Sequence, residues 1–172
     1  MTLNGSKIHG PKGSGILYKK REIPLHPILH GGGQEHNLRS GTENVAAIVG
    51  FATAITHLHK IKQQEVQRLT KLRDHLIQGL LSIPNTRLNG HPQQRLPSNM
   101  SITFEGVESE VLLIALSELD IYTSAGSACT SKKVGLSHVL QALGLSEKKA
   151  QGTIRFTLGA MTTEDDVERV LH

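Results

Sequence analysis

From residue 98 to residue 172 short runs of strand character alternate with runs of helical period, and few folds accommodate that order. SNMSITF (98–104) reads as a strand. SEVLLIALSEL (109–119) reads as a helix. IYTSAGSACTS (121–131) is a short strand running into a loop of small residues. SHVLQALGL (137–145) is a second helix, and TIRFTLG (153–159) alternates apolar and polar side chains as a strand does. TTEDDVERVLH (162–172) begins a last helix with a Thr N-cap and an acidic first turn. Interleaved strands and helices of this kind predict an α/β or α+β unit.

The preceding residues are patterned differently. SGILYK (14–19) is a short apolar strand after a Gly-Pro-Lys-Gly turn. IPLHPILHGGGQEHNLRSGT (23–42) carries two prolines and a glycine triplet, which prevent a regular element. A loop of that length in a compact domain is usually functional or ordered by another chain. Thr42 is the expected N-cap of a helix, with Glu43 in its first turn and NVAAIVGFATAITHL as its body. A separate, more amphipathic helix is expected over 62–82, with Val66, Leu69, Leu72, Leu76, Leu80 and Leu81 at three- and four-residue steps. NTRLNGHPQQRLP (85–97) is rich in turn residues and marks a boundary. At 172 residues the chain suffices for one ordinary domain or two small ones.

Composition narrows the function classes. The apolar share is 37% with aromatics at only 3%, so the core is built from Leu, Ile, Val and Ala. One cysteine excludes an internal disulfide framework and fits a reducing, cytoplasmic compartment. The first residues, MTLNGSKIHGPKG, contain no apolar run of a signal peptide, and no stretch reaches the ~18 apolar residues of a membrane span. The net charge of +4 suits an anionic cofactor or an acidic partner. Direct nucleic-acid binding is not expected, because few aromatics are present to stack bases and no binding signature occurs.

Four places carry candidate chemistry. Cys129 lies among small residues with Lys132 and Lys133 close behind, and positive charge favours the thiolate. A lone cysteine packed as a small hydrophobe is the competing reading. Lys7 follows the polar turn Asn4-Gly5-Ser6, and three roles fit it: an ordinary surface lysine, a phosphate ligand, or an amine that forms a Schiff base. HGGGQEHNLRSGT (30–42) offers glycine backbone and a helix start to an anion, without matching the spacing of a P-loop or of G-x-G-x-x-G. His26, His30 and His36 lack metal-ligand spacing, so no metal is expected. Arg155 shares a strand face with Thr153 and Thr157, opposite Ile154, Phe156 and Leu158. An arginine flanked by hydroxyls suits a carboxylate, although the strand read by itself favours a solvent-facing residue.

In this order, SKIHGPKGSGILY, HGGGQEHNLRSGTENVAAIVGF, SAGSACTS, SHVLQALGLS and GTIRFTLG resemble the cysteine desulfurases of class V aminotransferase type. The resemblance covers nearly the whole chain and is to the iron–sulfur and nitrogen-fixation type. It implies the C-terminal part of the pyridoxal-phosphate-dependent transferase fold of type I, with an end of the large domain followed by a small α+β domain. The implied boundaries are a large-domain remnant over 1–62, a connecting helix over 63–82 and the small domain over 83–172. By the same resemblance Lys7 is the Schiff-base lysine and proton shuttle. Cys129 takes sulfur from L-cysteine as a persulfide, releasing L-alanine, and Arg155 clamps the substrate carboxylate. Asn4, Ser6 and Thr42 bind the phosphate of pyridoxal 5'-phosphate, Thr42 across a homodimer. Sulfur acceptors would be an iron–sulfur scaffold or a tRNA-thiolating enzyme. The family usually has Ser-x-His-Lys where this chain has Asn4-Gly5-Ser6-Lys7. The chain also begins just before the lysine, without the family's aspartate that pairs with the pyridine nitrogen and its histidine that stacks on the ring. A selenocysteine lyase, and an inactive remnant serving as a dimerisation or interaction module, are the other readings.

Overall fold

A computed structural model describes residues 1–125 and 137–172. The chain divides into two compact units, Met1–Lys62 and Gln63–His172. A single helix, α1 (Val45–Leu81), contributes its first part to one unit and the remainder to the other.

In the first unit, β1 (Thr2–Asn4) pairs antiparallel with β2 (Gly15–Leu17), and Leu3 lies opposite Ile16. Between them runs a 3-10 turn, Gly5–Ile8, closed by His9 in the left-handed conformation. Gly5 is buried here. Its N–H donates to the Ser14 carbonyl, its carbonyl accepts from Gly10, and a side chain at this position would collide with the Ser14 hydroxyl and crowd the Phe51 ring. Phe51, on α1, is the large buried apolar side chain of this unit. Residues 23–42 form no helix or strand. They are ordered by local bonds, including Asn37 N–H to the Gly33 carbonyl (3.0 Å) and Gly41 N–H to Gln34 Oε1 (3.1 Å). Glu35, His36 and Asn37 all take positive φ, 51°, 57° and 61°. Three successive left-handed non-glycine residues cost about 1–2 kcal/mol each.

Two details of α1 correct the sequence reading. The expected cap, Thr42, lies three residues before the first helical residue, and Asn44 does the capping. The Asn44 carbonyl accepts from Ile48, and its Oδ1 accepts from Ala47 N–H at 3.1 Å. The two helices expected over 44–58 and 62–82 are one. Leu58-His59-Lys60-Ile61-Lys62 contains no Gly, Pro or capping residue, so propagation continues through the join.

The second unit is built on a four-stranded antiparallel sheet in the order β3-β4-β6-β5. Its strands are β3 (Thr86–Leu88), β4 (Asn99–Phe104), β5 (Ser124–Ala125) and β6 (Thr153–Thr157). Its further helices are α2 (Ser109–Glu118), α3 (His138–Ala142), α4 (Glu147–Ala150) and α5 (Glu164–Leu171). Met100 and Ile102 of β4 and Ile154 and Phe156 of β6 face Leu72, Leu76, Ile77 and Leu80 of α1 and Val167 of α5. Leu112, Leu113 and Leu116 of α2 pack against the same cluster. Strand alternation thus places the apolar residues of β6 inward, as their spacing predicts. Gly152 precedes β6 because a Cβ there would strike the carbonyl oxygens of Phe104 and Val107. β3 and α4 lie in stretches whose sequence showed no regular element, since three or four residues are too few to reveal a period.

No helix among the described residues is long and apolar enough to cross a membrane.

Candidate functional site

Asn4, Ser6 and Lys7 come together through the strand-to-turn junction that opens the chain. Asn4 ends β1 and caps the 3-10 turn. Its Oδ1 accepts from both the backbone N–H and the hydroxyl of Ser6, each at 3.0 Å. The amide NH2 of Asn4 remains as a donor. Lys7, in the last turn of this short helix, is exposed, as is Thr42 just ahead of α1. The set therefore consists of an amine, a hydroxyl, an amide and a second hydroxyl, all in the first unit. Hydroxyl and amide donors suit a phosphate monoester and an amine is the nucleophile an aldehyde requires, so these residue types match the chemistry of pyridoxal phosphate.

Arg155 belongs to the second unit, at the centre of β6, on the face opposite that of the inward Ile154 and Phe156. Its neighbours on that face were not legible in its own strand. Ser101 of β4 lies directly opposite it on one side and Ser124 of β5 on the other. Beyond Ser101, Asn89 prolongs the pairing past β3, its N–H donating to the Ser101 carbonyl at 2.8 Å. The Asn89 amide donates to Ser101 Oγ (3.2 Å) and Thr103 Oγ1 (2.9 Å), and Thr103 is bonded to Thr153 (2.8 Å). Asn89, Thr103 and Thr153 are all buried. The Asn89 carbonyl accepts from the Arg95 guanidinium at 2.7 Å, and burial, reinforced by the Arg73 charge, holds Arg95 below its ordinary basicity. Period-two reading of β4 would have put Asn99, Ser101 and Thr103 on one face, but the register that sets Ser101 beside Arg155 is a tertiary fact.

Cys129, Lys132 and Lys133 lie outside the described residues. Among the described residues no three His, Cys, Asp or Glu side chains gather in a way that could hold a metal ion.

The family model of class-V aminotransferases matches residues 1–170. The chain is 49% identical over 172 residues to a cysteine desulfurase, IscS, of Methanosarcina thermophila, covering 99% of this chain and 42% of that protein. It is 40% identical over 172 residues to the cysteine desulfurase NifS of Azotobacter vinelandii, covering 99% and 43%. Among solved structures, a NifS-like protein superposes with a TM-score of 0.87 at 35% identity, over 99% of this chain and 43% of that one. A NifS-like protein from Rickettsia africae gives 0.88 at 32% identity, over 99% and 44%. The chain thus spans less than half the length of the relatives it matches. Sequence likeness from end to end and the agreement of backbones lead to one assignment: the chain belongs to the class-V aminotransferase family.

Proposed function

We propose that this chain supplies the C-terminal part of a pyridoxal-phosphate-dependent cysteine desulfurase. The observation that carries the reading is identity of 40–49% to proteins named cysteine desulfurase over 99% of the chain. Residues 1–62 are assigned to the remnant of the cofactor-binding domain, 63–82 to a connecting helix and 83–172 to the small domain. Lys7 is the residue that would hold the cofactor aldehyde, and Asn4, Ser6 and Thr42 those that would donate to its phosphate. When bound, pyridoxal phosphate supplies a reactive aldehyde and a conjugated ring that takes up an electron pair.

Within that assignment Arg155 orients L-cysteine by its carboxylate. The Cys129 thiolate attacks the substrate sulfur. An S–S bond forms, the substrate C–S bond breaks, and the carbon that retains the electron pair is protonated, with the Lys7 amine as proton carrier. The products are L-alanine and a persulfide on Cys129, available to an iron–sulfur scaffold or a tRNA-thiolating enzyme in the cytoplasm. Ser6 in place of the usual histidine keeps a hydroxyl donor but removes an imidazole beside the lysine.

A second reading, a remnant acting as a dimerisation or interaction module, is favoured by the exposed apolar surface of the first unit, where Ile16, Leu17, Tyr18, Ile28 and Leu29 are all 42% exposed or more. Absorbance after addition of pyridoxal phosphate separates the two. A band of the bound cofactor in the wild type that is lost in Lys7→Ala supports the desulfurase reading. No band in either protein supports the module.

A further inference from the structure

The polar face of the second unit's sheet carries one row of residues: Ser101, Arg155 and Ser124 on three strands, continued by Asn89 just past the end of β3. Residues directly opposite in antiparallel strands have Cβ atoms about 4.5–5.5 Å apart on the same face. Arg155 thus stands between Ser101 and Ser124. The two serines differ in how they are held. Ser124 begins a two-residue strand at the sheet edge. Ser101 is fixed from behind by Asn89, only 3% exposed, whose Nδ2 is divided between Ser101 Oγ and Thr103 Oγ1. Thr103 is in turn bonded to Thr153, two residues before Arg155 on its own strand. Asn89 Oδ1 is buried with no hydrogen-bond partner among the described residues. Leaving a buried acceptor unmatched costs about 1–3 kcal/mol. The apolar alternatives at this position would avoid that cost, and the retained amide has one evident product, a serine oxygen held in place beside Arg155.

We propose that Asn89 is a positioning residue for Arg155: it holds Ser101 in place beside the guanidinium and so limits the directions in which the Arg155 side chain can point. A guanidinium recognises a carboxylate through two parallel N–H bonds, so its orientation decides whether one or two form. The consequence for substrate rests on the reading of Arg155 as the carboxylate clamp. The ordering of the side chain does not.

The test uses the full 172-residue chain, labelled with 15N and supplied with pyridoxal phosphate. The Arg155 Nε–Hε resonance is assigned by its loss in Arg155→Lys, and its heteronuclear NOE reports how rigidly the side chain is held. The expected result is a rigid resonance in the wild type, a mobile one in Asn89→Ala and Ser101→Ala, and rigidity retained in Ser101→Thr, which keeps the hydroxyl. The backbone spectrum monitors the fold, and Ser101→Ala decides the matter if Asn89→Ala does not fold. Equal rigidity of Arg155 in Ser101→Ala and the wild type would overturn the proposal. Titration with L-alanine, a carboxylate without a thiol, tests the clamp separately. A shift of the Arg155 resonance in the wild type, about two- to ten-fold weaker in apparent affinity in the two alanine variants, is expected. Absence of any shift in the wild type would sink the clamp while leaving the ordering result to stand or fall by itself.

Discussion

Arg68 donates to three carbonyl oxygens of the loop that joins β6 to α5, those of Thr162 (2.6 Å), Gly159 (3.1 Å) and Ala160 (3.2 Å). Glu65 holds the same guanidinium through two bonds of 2.9 and 2.7 Å. Replacing Arg68 by Ala is expected to destabilise the second unit by about 1–3 kcal/mol, read as a lower urea midpoint. The bond to Arg68 keeps the Glu65 carboxyl below its ordinary value, and the backbone and hydroxyl of Thr163 do the same for Asp166. A carboxyl with a depressed folded-state value stabilises the fold above its unfolded-state value and loses that contribution as pH falls through the folded one. Stability of the chain should therefore decline with acidification below the ordinary carboxylate range. The decline should be shallower in Glu65→Gln, whose side chain does not titrate. A parallel decline in the two proteins would remove Glu65 from the account. The thiol, the amine and the arginine were each visible in the sequence as candidates, because their residue types are rare or chemically marked. Asn89 and Ser101 were not, because nothing about an asparagine in a turn-rich stretch or a serine in a strand distinguishes it until register is known.

α5 is the element whose beginning the sequence announces most clearly. Thr163 accepts from Asp166 N–H, and Asp166 reaches back to Thr163 N–H, forming a complete capping box. The start of α1 is ambiguous in the sequence for a related reason. Thr42 and Asn44 are both capping types two residues apart, and only the backbone shows which one has the first helical carbonyl. Asn44→Ala should therefore cost ~1 kcal/mol of stability. Thr42→Ala should stay within about 0.5 kcal/mol of the wild type. Thermal denaturation of both variants checks this, and a reversed order would return the cap to Thr42. Apolar period identified α1, α2 and the core face of β6. It could not identify β3 or α4, nor show that the helical runs before and after residue 60 join, since a continuous helix is marked only by the absence of anything that stops it.

The two units differ in what they bury. The second has a cluster of nine buried apolar side chains, with Met100, Ile102 and Ile154 fully enclosed. Leu76, 1% exposed at its centre, should cost about 2–5 kcal/mol when cut back to Ala. The first unit encloses Phe51, and most of its other large apolar residues are exposed. Amide exchange should accordingly be slow in β4 and β6 and fast in β1 and β2, because local stability follows buried apolar contact. Uniform protection across both units would contradict this. The likeness to desulfurases extends across both units, yet it ends at less than half of those proteins' length. In the proposed function Lys7, Cys129 and Arg155 serve one sulfur-transfer reaction. Its most direct test is to supply the chain with L-cysteine and pyridoxal phosphate, alone and together with a polypeptide equivalent to the remaining half of the relatives, and to measure L-alanine and the mass of the Cys129 peptide. Alanine and one added sulfur atom on Cys129 are expected in the complemented sample, both lost in Cys129→Ser. Absence of alanine and persulfide in both samples would contradict the proposed function.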